Sequence, residues 1–573
     1  MTLPAVQVRP KARWLLAPEP DAAAVARLQQ ELHLPAAICR LIAIRGFDAP
    51  DEAKDFLRPR LDHLHDPSCF TDMDRAVERL VRALRENETV LVHGDYDVDG
   101  ICSTTLMVRT LTALGGNPIP FIPNRLADGY DLTDAGVRAA RAAGATLVVT
   151  CDCGTSAVGP ITDLQQSGID VIVTDHHLPG GPLPPAYAIL NPKRPGCTSR
   201  DKDLAAVGVA FKLALALTRA VAGNENAVYA MLDLVALATI ADIAPLRGEN
   251  RVMVRYGLKL LNDPQRPGIR AMIRAARLEG KALTAGRIGF VLAPRLNAAG
   301  RLESALRGVE LMLATTDQEA NPIARELEEL NARRQEIDRA TLDRARTMAQ
   351  QMDLSSTYGI VLAEQGWHPG VVGIVASRIV EEFGRPAVLI ALDGDEGKGS
   401  GRSISAFDLH DGLKQCRDLL LRFGGHRSAA GVTIATDRVA DFAARFNEVA
   451  ASQLDDDDLV RELRVDLELP FDQIDAELES LLRHVEPCGI GNPSPLLVSR
   501  GVVIAAPPRV VGKDALKLVL SGNGRELVAL GWGMASRARE LDVGMTIDVA
   551  YRLERDEWNG ESRLQARLAD FRV

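Results

Sequence analysis

Residues 90–100 read VLVHGDYDVDG. The short apolar run Val90, Leu91, Val92 is bounded by Gly and turn formers, which predicts a buried strand. His93, Asp95, Asp97 and Asp99 follow within seven residues, with Gly94 and Gly100 loosening the backbone. Three carboxylates and an imidazole so close together repel one another unless positive charge sits among them. Hard oxygen donors with a His favour Mn²⁺ or Mg²⁺ over a thiolate-seeking metal. A solvated acidic loop would be the plainer reading. This one follows a buried strand and precedes an apolar helix expected over residues 101–114, which is where open α/β sheets hold ligands.

The same pattern recurs outward from this stretch. A helix over residues 135–143 leads to a strand over 145–150 that ends on Asp152. A further helix leads to a strand over 170–174, followed by Asp175, His176 and His177. Strand–helix–strand at this rhythm implies right-handed crossovers and a parallel sheet. A fourth apolar run, 234–240, is read as another strand ending near Asp242. Ligand-type residues at several strand C-termini converge on one sheet edge, and independent solvated loops would not place them so.

Residues 1–70 read as a helical lead-in, and 71–315 as the domain carrying the acidic cluster. Within it, FIPNRLADGY (121–130) supplies a loop with Arg125 and then Tyr130. APRLNAAGRL (293–302) places Arg295, Asn297 and Arg301 around a flexible Ala-Ala-Gly, either a phosphate grip or a salt-bridged helix start. Thr316 and Glu319 form a capping box that opens a charged helix over 316–353, expected to be an interdomain strut. A second α/β domain over 354–452 holds two Gly-rich stretches, KGSGRSIS (398–405) and FGGHRSAAG (423–431). In them Ser400, Arg402, Ser403, Gly425 and His426 offer an anion donors and close backbone approach. The acidic run 455–458 marks a linker, and 453–573 turns to β. About five strands, with hairpin signals at Asn523-Gly524 and Asn559-Gly560, suggest an OB-type barrel with Trp532 and Trp558 as stacking surfaces.

Composition limits the class. A chain of 573 residues exceeds a single core and predicts three or four domains. It is 46% hydrophobic and 25% charged, as in an ordinary globular protein. No run of eighteen apolar residues and no basic-then-apolar leader occurs, so a cytoplasmic protein without membrane contact is expected. The eight Cys are scattered without a CxxC pair, which fits free thiols. The net charge of −10 argues against non-specific DNA coating but leaves room for a locally basic channel.

HGDYDVDG, CDCGTS, VTDHH and TIADIAP together resemble the DHH phosphoesterase superfamily, and the GGH segment resembles its associated second domain. Domain order, APRLNAAGRL and the terminal β domain resemble that superfamily's bacterial single-strand-specific exonucleases. The resemblance implies a 5′→3′ exonuclease of recombination and repair that uses two Mn²⁺ or Mg²⁺ ions on single-stranded DNA. A helicase and a single-strand-binding protein would be helpers, and a monomer is expected. It assigns Asp99, Asp152, His176 and Asp242 to one ion. The second ion lies against His93, Asp95 or Asp97, with Asp152 bridging. His177 would face the scissile phosphate, and Asp175 would orient a neighbouring His. Ser400, Arg402 and His426, with Arg125 and Arg295 or Arg301, would grip phosphates, including a terminal 5′ phosphate. Asp131, after Gly129-Tyr130, departs from the Gly more usual there and leaves the role of Tyr130 less defined. The motifs also allow a hydrolase of cyclic dinucleotides, short oligonucleotides or pyrophosphate, which would not need the terminal domain. A DNA-binding scaffold that had lost catalysis should have lost ligands, yet every expected Asp and His is present.

Overall fold

A computed structural model describes residues 12–125, 127–558 and 561–573. The chain divides into two compact units. One comprises residues 51–332 with 484–494; the other comprises 1–50, 333–483 and 495–573.

The first unit is built on a five-stranded, all-parallel sheet. Its strands lie in the order Asn117–Phe121, Thr89–Gly94, Leu147–Cys151, Asp170–Thr174 and Ala188–Leu190. The middle strands are apolar throughout because helices cover both faces. Chain direction across the sheet reverses at Thr89–Gly94, the switch point where such sheets leave a crevice. Register aligns Gly94, Cys151, Thr174 and Leu190 in one lateral row. The next residues, Asp95, Asp152, Asp175 and Asn191, therefore all emerge at the same edge. The amides of Asp95, Asp152 and Asp175 extend the ladder to the carbonyls of Cys151, Thr174 and Leu190.

The run expected as a fourth ligand-bearing strand is instead a helix, Leu232–Ala241, with Asp242 as its C-cap. Apart from Asp233, which pairs with Arg266 at 3.0 Å, and the buried Thr239, it is apolar because the helices Val98–Ala113, Ala206–Ala220 and Gly248–Asn262 surround it. Near-uniform hydrophobicity erases the periodicity that separates a buried helix from a buried strand. The segment expected to be flexible at Ala-Ala-Gly is also helical, Ala293–Leu302. Gly300 there lies so near the Tyr96 carbonyl that a Cβ would sit 2.2 Å from it.

In the second unit, a five-stranded sheet is ordered Arg422–Gly425, Ala429–Ala435, Glu396–Arg402, Ala387–Asp393 and Ile360–Gln365. The Gly-rich stretch at 398 is thus part of a strand, not a loop. Gly397, Gly399 and Gly401 alternate beneath Ile390, Val432 and Leu409 with no room for a Cβ, while Lys398, Ser400 and Arg402 point the other way. In the terminal domain, strands Leu497–Ile504, Thr546–Trp558, Glu561–Arg572, Arg525–Trp532 and Ala515–Gly522 pair in sequence. Leu497–Ile504 then pairs with Ala515–Gly522, closing a five-stranded barrel. Asn523 and Gly524, at φ +50° and +82°, form the expected hairpin turn. Asn559-Gly560 and the Trp558 side chain lie outside the described residues.

The expected 1–70 lead-in is divided. Strand Arg13–Leu16 pairs in parallel with Glu462–Val465, the Trp14 indole donates to Asp570, and Arg45 pairs with Asp466 at 2.9 Å. Residues 12–50 therefore belong with the barrel, an association between positions far apart in sequence that no local pattern reveals. The long helix, Asp317–Gln350, spans roughly 50 Å at about 1.5 Å per residue. It is more than a strut. Ala320, Ala324, Leu327 and Leu330 complete one core, and Leu342, Ala345 and Ala349 complete another. No helix among the described residues is long and apolar enough to cross a membrane.

Candidate metal centre and anion site

The acidic loop owes its shape to its own carboxylates. Asp97 caps the helix Val98–Ala113 by accepting from the amides of Asp99 and Gly100. Gly100 is required because a Cβ would lie 2.3 Å from the Asp95 carbonyl oxygen. Asp99 is buried and accepts from the amides of Ala206 and Val207, both at 2.8 Å, at the N-terminus of another helix. Asn297 accepts from the Val98 amide at 3.1 Å, so its carboxamide braces the acidic loop from behind.

Three sets of potential ligand atoms each gather within 4.8 Å: Asp152, His176 and His177; Asp99, His176 and Asp242; Asp95, Asp97 and Asp152. Asp152 belongs to two of them, as does His176. Asp152 holds φ at +68°, a strained setting for a residue with a Cβ. His93 belongs to none of these sets. Its Nδ1 faces the Cys153 thiol at 3.5 Å, its ring lies against Gly136, and burial lowers its pKa to about 4.

The electrostatics fit divalent cations. Burial, and then the neighbouring carboxylates, push Asp95 and Asp152 well above the usual carboxylate range. The same causes raise Asp99 to about 7 and Asp242 to about 8. Oδ1 of Asp95 and Oδ1 of Asp152 are buried without a hydrogen-bond partner. Concentrated positive charge at this point would relieve both conditions. Burial and the neighbouring His177 lower His176 to about 3, which leaves it neutral and able to ligate.

Asp175 plays a different part. It accepts from the amides of Thr155, His176 and His177 and from His177 Nδ1, the last at 2.8 Å. Burial opposes its charge, but the His177 hydrogen bond and field prevail and hold it below the usual range. His177 in turn is raised to about 9: burial works against protonation, and Asp175, Asp242 and Asp95 outweigh it. The Tyr130 hydroxyl lies 3.0 Å from His177 Nε2. Asp131 adopts φ +75°, so the Gly usual at that place has a backbone reason, and its carboxylate accepts from the Gly154 amide.

Other expected phosphate ligands divide. Arg125 stacks over Tyr96, 4.8 Å from the ring centre, and the Arg301 charge also acts on the Tyr96 hydroxyl, against the upward push of burial. Arg295 does not point to a phosphate. It forms a two-pronged ion pair with Glu328 and donates to the Val291 carbonyl, so the salt-bridged helix start is what forms. Asn191 was missed in the sequence. Its amide donates to Thr155 and to the His177 carbonyl, holding the His-bearing loop. Its position after the strand Ala188–Leu190, in register with Asp95, Asp152 and Asp175, was the available signal.

In the second unit, Ser400 and Arg402 share one face of their strand, with Arg402 donating to Ser400 Oγ at 2.9 Å. Both overlie the start of helix Val372–Phe383, where a Cβ on Gly373 would sit 2.9 Å from Ser400 Oγ. Hydroxyl, guanidinium and helix N-terminus are each groups that suit an anion. Ala429 lies opposite Arg402 in the ladder and its carbonyl accepts from the His426 amide, which brings that exposed imidazole to the same end. Gly425, at φ +140°, would clash with the Ala429 carbonyl if it carried a Cβ. Ser403 is occupied elsewhere, its hydroxyl donating to the Phe407 carbonyl.

Comparison with known proteins agrees with this anatomy. Residues 89–239 match the DHH family N-terminal domain, 356–452 the DHHA1 domain and 465–570 the RecJ OB domain. The chain is 36% identical to the single-stranded-DNA-specific exonuclease RecJ of Bacillus subtilis, over 98% of this chain and 71% of that protein. It is 37% identical to the Escherichia coli protein of the same name, over 93% and 95% of the two chains. The crystal structure of Thermus thermophilus RecJ in complex with Mn²⁺ superposes with a TM-score of 0.84. Identity there is 33%, over 98% of this chain and 79% of that one. The Mg²⁺ complex gives 0.79 at 31% identity, over 98% and 78%.

Proposed function

Because this chain belongs to the RecJ family, we propose that it is a single-stranded-DNA-specific exonuclease that works from the 5′ end in recombination and repair. The observation that carries the reading is the shared Asp152, placed by sheet register between two sets of ligands. Asp99, Asp152, His176 and Asp242 would hold one Mn²⁺ or Mg²⁺, and Asp95, Asp97 and Asp152 the other. When bound, such ions supply Lewis acidity to the scissile phosphate and lower the pKa of water.

The chain's own groups do the rest. Asp175 fixes the His177 ring through Nδ1–H, so Nε2 is the edge that faces outward beside Tyr130. His177 would present that edge to the scissile phosphate, where negative charge builds up. Water adds to phosphorus and the P–O3′ bond breaks. A 5′-mononucleotide leaves with a 3′-hydroxyl, and the shortened strand keeps a 5′ phosphate. Ser400, Arg402 and the helix N-terminus at Gly373 suit that terminal phosphate, which supports 5′ polarity. The same reading makes the protein a cytoplasmic monomer that acts with a helicase and a single-strand-binding protein.

Digestion of 5′- or 3′-labelled single- and double-stranded DNA with each metal tests the proposal. Early release of the 5′ label as mononucleotide, from single strands only, is expected. Early release of the 3′ label, or faster turnover of a cyclic dinucleotide, would overturn it.

A further inference from the structure

Three large apolar side chains stand exposed in the first unit around the loop that follows Asp242. Ile243 is 65% exposed, Phe290 87% and Ile490 54%. Ile243 immediately follows a candidate metal ligand and holds φ at +61°, a conformation that a β-branched residue rarely adopts. Backbone strain of this kind persists only where the surrounding structure imposes it, and it clusters at functional sites. Phe290 lies in a π-helical turn, Ile288–Leu292. Ile288 and Leu292 are buried, so the residue midway between them is turned to solvent. The same turn touches the end of helix Leu232–Ala241, where a Cβ on Gly289 would sit 3.5 Å from Ile240. Ile490 is held against the loop, its carbonyl accepting from the Leu246 amide at 2.8 Å.

Burying such side chains against a partner would be favourable. Their place decides which partner. The carboxylate cluster receives a phosphodiester, and the bases of that strand lie within one nucleotide of the phosphate. Arg287, three residues before Phe290, is exposed and adds the positive charge that accompanies base-stacking aromatics. We propose that Phe290 and Ile243 form a platform for the unstacked bases beside the scissile phosphate. Bases paired in a duplex are already stacked and cannot occupy it, so the platform contributes to single-strand selectivity. The inference rests on the nuclease reading above.

The test compares a 5′-phosphorylated single strand with the same strand made abasic over its first four nucleotides. Phe290→Ala should raise KM for the normal strand by about tenfold, the scale of one lost stacked base, with kcat little changed. On the abasic strand it should change nothing, and Phe290→Trp should restore the normal KM. Ile243→Gly keeps the backbone conformation, removes the side chain, and should raise KM on the normal strand alone. Equal losses on both strands, or none on either, would overturn the platform while wild-type digestion still upholds the nuclease. Wild-type protein that leaves the normal strand intact would overturn both.

Discussion

Arg402→Ala offers a direct check on polarity. Its guanidinium already spends one nitrogen on Ser400 Oγ and the Gly401 carbonyl, at 2.9 and 2.7 Å. With Ser400 and the helix N-terminus it lines the candidate anion site. A hydrogen bond between charged groups contributes roughly 1.5–3 kcal/mol, or about 13- to 160-fold in kcat/KM at 1.36 kcal/mol per decade. Wild-type enzyme should therefore prefer 5′-phosphorylated to 5′-hydroxyl DNA, and Arg402→Ala should lose that factor on the phosphorylated strand only. Ser400→Ala, which removes a neutral donor, should cost about 0.5–1.5 kcal/mol, roughly 2- to 13-fold. Stability should hardly move, because the Arg402 side chain is only partly buried and the hydroxyl it leaves can be hydrated. Measuring kcat/KM for two proteins on two substrates completes a thermodynamic cycle. If Arg402→Ala slows both strands by one factor, the residue serves the scissile phosphate or the fold, and end recognition is refuted.

Asp152→Ala should abolish most hydrolysis while single-strand binding by gel shift persists, and activity within tenfold of wild type would refute the shared-ligand assignment. Asn297→Ala should cost about 1 kcal/mol in denaturant unfolding, the scale of a lost cap, and raise the Mn²⁺ concentration needed for half-maximal activity. An unchanged metal requirement would mean that the acidic loop does not depend on its brace. Trp532→Ala removes an exposed barrel residue; it should weaken binding of long strands severalfold and leave trinucleotide hydrolysis alone, and equal effects would deny the barrel a gripping role.

The catalytic sheet was legible because parallel topology turns sequence periodicity into position. A strand that ends on Asp must present that Asp at the same edge as its neighbours. What escaped notice was set by packing. Residues 234–240 are apolar but for the buried Thr239 and carry no solvent face, since helices surround them. The strand Glu396–Arg402 offers alternating Gly where strands usually show β-branched residues, because its neighbours fill that space. The roles of Arg295 and Asn297 were open in the sequence, as both suit an anion. In the fold they meet Glu328, thirty-three positions away, and the Val98 amide, partners that no local pattern names.

The strand pair Arg13–Leu16 with Glu462–Val465 also imposes an order on synthesis. Arg13 meets Glu462 across 449 positions of sequence. At about 5–20 residues per second, the first strand waits roughly 20–90 s for its partner to leave the ribosome. All candidate ligands, from Asp95 to Asp242, have emerged well before then. A nascent chain can thus assemble its hydrolytic centre while its first strand is still unpaired. The unpaired edge and the Trp14 side chain are what a chaperone would have to shield during that interval.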